Sequence, residues 1–192
     1  MGNGRVEAFS DGVVAIIITI MVLELRPPHG VQLADLRPVL PAFAAYVLSF
    51  IYVGIYWNNH HHMLHAVRSV NGAVLWANLH LLFWLSTVPF ATAWMGENPL
   101  GSAPVALYGV VLLMNALSYT LLQTLLIRHE GADSPLAQAV RSDLKGRGSI
   151  VLYLIGVAAA FVLPAVSLLL YVAVAAIWFV PDRRVERQLG VR

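Results

Sequence analysis

The stretch Arg5-Val-Glu-Ala-Phe-Ser-Asp-Gly-Val-Val-Ala-Ile-Ile-Ile-Thr-Ile-Met-Val-Leu-Glu24 decides the fold. Twelve uncharged residues, Gly12 to Leu23, follow a cluster that carries Arg5, Phe9, Ser10 and Asp11. The apolar segment, 6–25, has about the 20 residues a helix needs to cross a hydrocarbon core of about 30 Å. An ionisable group at the end of such a helix is costly to bury and calls for a partner. The rest of the chain reads as scaffold that holds this helix and supplies partners.

Composition agrees with a membrane chain. Of 192 residues, 59% are hydrophobic and 11% are charged, with a mean hydropathy of +0.73. Soluble domains carry about 25% charged residues, so an all-α integral membrane protein is expected, with no sizeable soluble domain. The absence of cysteine excludes disulfides, thiolate metal sites and cysteine nucleophiles. The first apolar run is too long for a signal-peptide core, and no small-residue cleavage site precedes Pro27-Pro28, so the first helix is expected to stay. A net charge of +2 argues against a nucleic-acid partner.

Further apolar segments fall at 38–57, 72–93 and 103–127, and a last block at 150–180 is interrupted by Pro164. That block is either one kinked span or two short ones, 150–163 and 165–180. Charge decides. With six spans and the N-terminus inside, Arg5, Arg68, Arg128, Arg141, Lys145, Arg147, Arg183, Arg184, Arg187 and Arg192 lie inside, and only Arg26 and Arg37 outside. Five spans would split the cations six against six. Lys/Arg bias orients membrane proteins, so six spans with both termini cytoplasmic is the better reading. In it, Arg26–Arg37 is an outer turn, His60–Asn71 a basic inner loop, and Arg128–Gly148 the longest solvated segment. Pro89 and Pro164 are expected to bend or break their helices.

On a helical wheel Ile16, Ile20 and Leu23, at i, i+4 and i+7, form one apolar stripe, with Thr19 beside it and Gly12 and Ala15 among its small residues. The ordinary reading is a lipid-facing or packed stripe. If several copies brought this helix to a common axis, the stripe would become a stack of apolar rings able to gate by dewetting. Ser10-Asp11 reads most simply as an N-cap, which leaves Arg5 and Phe9 unexplained. Arg5 and Asp11 lie six residues, about 240°, apart on a helix, so each needs a partner from elsewhere.

Candidate partners at the same depth are His60, His61, His62, His65, Asn71 and Asn78. His61 and His65 share a helical face, yet without cysteine or a nearby carboxylate to complete a ligand set they read as hydrogen-bonding histidines, and no metal is expected. His80, Asn115, Ser118 and Gln123 fall inside spans and are expected to bond between helices. Tyr52-Val-Gly-Ile-Tyr56 is similar to a TVGYG filter but lies within a full-length span, where its carbonyls serve the helix.

Arg5-x-x-x-Phe9-Ser10-Asp11, opening the first of six spans, resembles the signature of the transmembrane protein 175 family of potassium channels. The run from Phe9 to Glu24 looks like the bacterial form of that family's pore helix. Trp57-Asn-Asn-His-His61, Asn78-Leu79 with Pro89-Phe90, and Leu170-Tyr171 through Pro181-Asp-Arg-Arg184 resemble later parts. The resemblance implies a potassium-selective cation channel, not an enzyme, with no re-entrant pore loop. It implies a homotetramer in a prokaryotic plasma membrane whose first helix lines a central pore. Its constriction would fall on Ile16, Ile20 and Leu23, with Thr19 the pore-facing polar residue implicated in selectivity. Arg5, Phe9, Ser10 and Asp11 would belong to a network holding the helix, with His61 and Asn78 as partners. No cofactor is implied beyond the permeant potassium ion.

Two other classes compete. A secondary cation transporter or proton pathway would use His80 or the His60–His65 cluster as a relay, although no internal repeat of the transporter kind is visible. An intramembrane hydrolase would need a histidine to align with Ser10 and Asp11, which lie about 100° apart on the helix.

Overall fold

Out of water, a backbone must satisfy its own hydrogen bonds, and the long apolar runs accordingly fold as helices. The computed structural model describes residues 3–131, 133–140 and 144–179. Arg141, Val180 at the expected end of the last span, the Pro181-to-Arg184 motif and the remaining tail arginines lie outside the described residues.

Helix α1 spans Gly4–Leu23. Its first turn starts at Asn3, whose carbonyl accepts from the N–H groups of Val6 and Glu7, each at 3.0 Å. Ser10 and Asp11 therefore lie inside the helix, and the N-cap reading is corrected: the cap position is Asn3. A short 3-10 helix, Leu33–Val39, leads into α2, Leu40–His65. This helix continues well past Trp57, so the residues expected to open an inner loop are helical up to His65.

Asn71 caps α3, Gly72–Ser86, by accepting from the Val74 N–H at 3.0 Å. Pro89 has no N–H to offer the Leu85 carbonyl, and the helix breaks at Thr87 before resuming as α4, Val88–Glu97. The Thr87 hydroxyl and N–H both turn back to the Trp84 carbonyl, at 2.7 and 3.2 Å. Helix α5, Ser102–Glu130, is followed by Gly131 at φ 101°, a conformation that favours glycine. Next come α6, Pro135–Val140, α7, Leu144–Ala159, and α8, Pro164–Phe179. The stretch from Arg128 to Gly148 is thus not one solvated loop: α5 carries Arg128, and α7 begins with Lys145 and Arg147 in its first turn.

Four helical stretches, Gly4–Leu23, Leu33–His65, Gly72–Glu97 and Ser102–Glu130, are long and apolar enough to cross a membrane; Pro164–Phe179 is apolar but shorter. Helices α7 and α8 form a hairpin whose turn is closed by Ser167 donating to the Gly156 carbonyl at 2.6 Å. Helix α5 packs on α3, α4, α7 and α8, while α1 packs on α2, α3 and α4. The Tyr171 ring lies against Gly156 and Gly109, where an added Cβ would collide with it.

Buried hydroxyls in this core are paired, as burial demands. Ser49 meets Thr92 at 2.7 Å and Tyr108 at 2.9 Å, and Tyr52 donates to the Tyr171 carbonyl at 2.5 Å. Asn115 reaches across to the Trp84 carbonyl at the α3 break, whereas Ser118 bonds the Met114 carbonyl of its own helix. His80 is exposed and accepts from the Trp84 indole at 3.2 Å.

Candidate functional site

Helix α1 has two unlike faces. Val6, Ser10, Val14, Ile17 and Met21, at helical spacing, are buried against α2, α3 and α4. Phe9, Ile16, Ile20 and Leu23 are open, with Ile16 60% exposed where its neighbour Ile17 is 2% exposed. Gly12, Ala15 and Thr19 lie on the same open side. Thr19 donates to the Ala15 carbonyl at 2.8 Å, which keeps its hydroxyl close to the helix surface.

The other side of the N-terminal half is tied down by a polar ladder. Asn3 donates to the carbonyls of Leu64, in the last turn of α2, and Val67, just past it, at 2.8 and 3.0 Å. Glu7 meets His61 at 2.7 Å and His65 at 3.1 Å. Ser10 gives its hydroxyl hydrogen to the Val6 carbonyl at 2.8 Å and accepts from Asn78 on α3 at 3.0 Å. Asn78 Oδ1 lies 2.7 Å from His60 Nε2, closing a buried chain from α1 through α3 to α2. One residue on, Asp11 accepts from the Trp57 indole N–H at 2.9 Å. Positions 3, 7, 10 and 11 share one helical face, so four residues meet α2 and α3 along just over two turns.

Of the residues singled out from the sequence, Ser10 and Asn78 meet directly, and Asp11 joins the ladder through Trp57. His61 pairs with Glu7, and Asn71 caps α3 and contacts His129 at 3.2 Å instead of reaching α1. Arg5 and Phe9 are exposed, and Arg5 takes no hydrogen-bond or ion-pair partner among the described residues. Glu7 also supplies the carboxylate whose absence argued against grouping His61 with His65.

A family model described as the endosomal/lysosomal potassium channel TMEM175 matches residues 5–89. A potassium channel from a Chryseobacterium species is 54% identical over 189 residues, covering 98% of each chain. This chain belongs to the TMEM175 family. The crystal structure of a lysosomal potassium-selective channel TMEM175 homolog from Chamaesiphon minutus superposes with a TM-score of 0.77 at 28% identity, covering 95% of this chain and 97% of that one. An endosomal/lysosomal proton channel TMEM175 from Danio rerio is 34% identical over 115 residues, 53% of this chain but 22% of that protein. The TMEM175 match runs through α1, α2 and α3 and includes every ladder residue except Asn3.

Sequence reading missed Asn3, Glu7 and the inward use of Trp57. A signal for Glu7 was present: it precedes Ser10 by three and Asp11 by four, so all three lie on one side of a helix. The indole N–H of Trp57 serves the Asp11 carboxylate.

Proposed function

We propose that the chain is one subunit of a potassium-conducting channel whose pore is lined by the open face of α1. The single observation that carries this reading is the division of α1: one face is held by the bundle while the opposite apolar face, through Ile16, Ile20 and Leu23, stays open. Membership in TMEM175, and the potassium-channel names of the Chryseobacterium and Chamaesiphon relatives, support it. In this reading α1, α2, α3 with α4, α5, α7 and α8 are six spans, with both termini in the cytoplasm of a prokaryote. Four copies around an axis bring four α1 helices together.

In that assembly Ile16, Ile20 and Leu23 form apolar rings that a hydrated ion crosses only by losing water, and Thr19 offers an oxygen beside them. Ser10, Asp11, Asn78 and His61 act at a distance from the ion, holding the helix in position; Arg5 and Phe9 lie on the side turned towards other subunits. Conduction needs no resident cofactor.

Purified protein in a planar bilayer between potassium and sodium solutions tests the reading. Unitary current steps reversing towards the potassium equilibrium potential are expected. Coupled, saturable uptake without steps would instead support a transporter, and reversal that follows a pH gradient would support the proton pathway suggested by the Danio rerio relative's name.

A further inference from the structure

The contact of Glu7 with His61 and His65 has a chemistry beyond holding two helices together. Glu7 Oε1 faces the Nδ1 atoms of both histidines, at 2.7 and 3.1 Å, and the three ligand atoms lie within 4.8 Å of one another. The histidines stand one turn apart on α2 with ring centroids 4.1 Å apart, and Trp57 stacks on His61 from the turn before. Zinc–ligand bonds of about 2.0–2.2 Å in a tetrahedron separate neighbouring ligand atoms by about 3.4 Å. Opening each Glu7–histidine contact to that spacing takes a shift of less than about 1 Å.

Two imidazole nitrogens and one carboxylate suit zinc and its late transition-metal neighbours, whereas magnesium and calcium prefer oxygen ligands. The Glu7 side chain is 17% exposed and that of His65 is 57% exposed. The site is therefore closed on the α1 side and open at His65, which leaves room for water as a fourth ligand.

We propose that Glu7, His61 and His65 bind a zinc-like divalent transition-metal ion that clamps the N-terminal end of α1 to the end of α2. The ion replaces a hydrogen-bonded contact by bonds to one metal centre, reducing the freedom of α1 to move relative to α2. Any effect on conduction rests on the channel reading, because α1 is then the helix that forms the pore; binding itself does not.

Titrating zinc chloride into tag-free full-length protein in a calorimeter tests the site without recording any current. One zinc per chain is expected, with no comparable heat from magnesium. Glu7→Gln and His65→Gln should each weaken zinc binding by at least about tenfold, since even partners one shell away from a metal contribute about 10- to 100-fold. His129→Gln, which alters a histidine held by Ser69 and Asn71, should bind as the unaltered chain does. His65 is largely exposed, so its variant should melt normally in metal-free buffer. No stoichiometric zinc binding, or binding unchanged in either Glu7→Gln or His65→Gln, would overturn the proposal. A channel silent in the bilayer that still binds zinc through these residues would separate failure of the channel reading from failure of the site.

Discussion

Asn78 donates from Nδ2 to Ser10 Oγ at 3.0 Å across the contact between α3 and α1, in a place where both side chains are buried. The amide is also held from the other end, because its Oδ1 lies 2.7 Å from His60 Nε2. One asparagine thus connects the candidate pore helix to two neighbours.

Ser10→Ala removes one acceptor and leaves the Asn78 amide hydrogen facing an apolar gap. An unpaired buried polar group costs about 1–3 kcal/mol. Asn78→Ala should cost more than Ser10→Ala, because it strands Ser10 and His60 together. Thermal unfolding of the purified variants checks the order; an Asn78→Ala protein as stable as Ser10→Ala would contradict it.

The first helix was legible because its apolar run is uninterrupted from Gly12 to Leu23, and the break near Pro89 was legible because proline lacks the N–H. The helical continuation through residues 58–65 was only partly legible, in the i, i+4 spacing of His61 and His65. Asn58, Asn59 and four histidines look like loop composition, but their polarity is used from within a helix: Asn59 bonds the Ile55 carbonyl, His60 meets Asn78, and His61 and His65 meet Glu7. Tertiary partners overrode local preference there. The N-cap reading of Ser10-Asp11 failed for a related reason, since the earlier start at Asn3 depends on carbonyls about 60 residues away, at Leu64 and Val67.

Asp11 is half-buried and accepts one hydrogen bond from Trp57. Asp11→Asn keeps an oxygen in place and should assemble like the unaltered chain. Asp11→Ala should lose about 1 kcal/mol or somewhat more, the usual net worth of such a bond, and yield less of the proposed tetramer by size-exclusion chromatography. Equal yields and melting temperatures for the two variants would remove Asp11 from the structural role.

Ile16 and Ile17 allow one substitution to be read two ways. Ile16 is open and Ile17 is buried. Ile16→Asn should leave folding intact, wet the proposed constriction and weaken potassium-over-sodium selectivity, seen as a reversal potential moving towards zero between potassium and sodium solutions. Ile17→Asn should instead destabilise the subunit by about 1–3 kcal/mol, because it buries an amide without partners. Unchanged current and ion preference in Ile16→Asn would remove that residue from the constriction.

The chain contains no cysteine, so single introduced thiols report without background. The most direct test of a pore lined by the open face of α1 is inhibition of bilayer current by silver ions, applied to Thr19→Cys and, as the buried-face control, Met21→Cys. Rapid, irreversible block of Thr19→Cys with Met21→Cys and the unaltered channel unaffected is the predicted result. Current through Thr19→Cys that is indifferent to silver, while the thiol reacts in denatured protein, would contradict a pore on this face of α1.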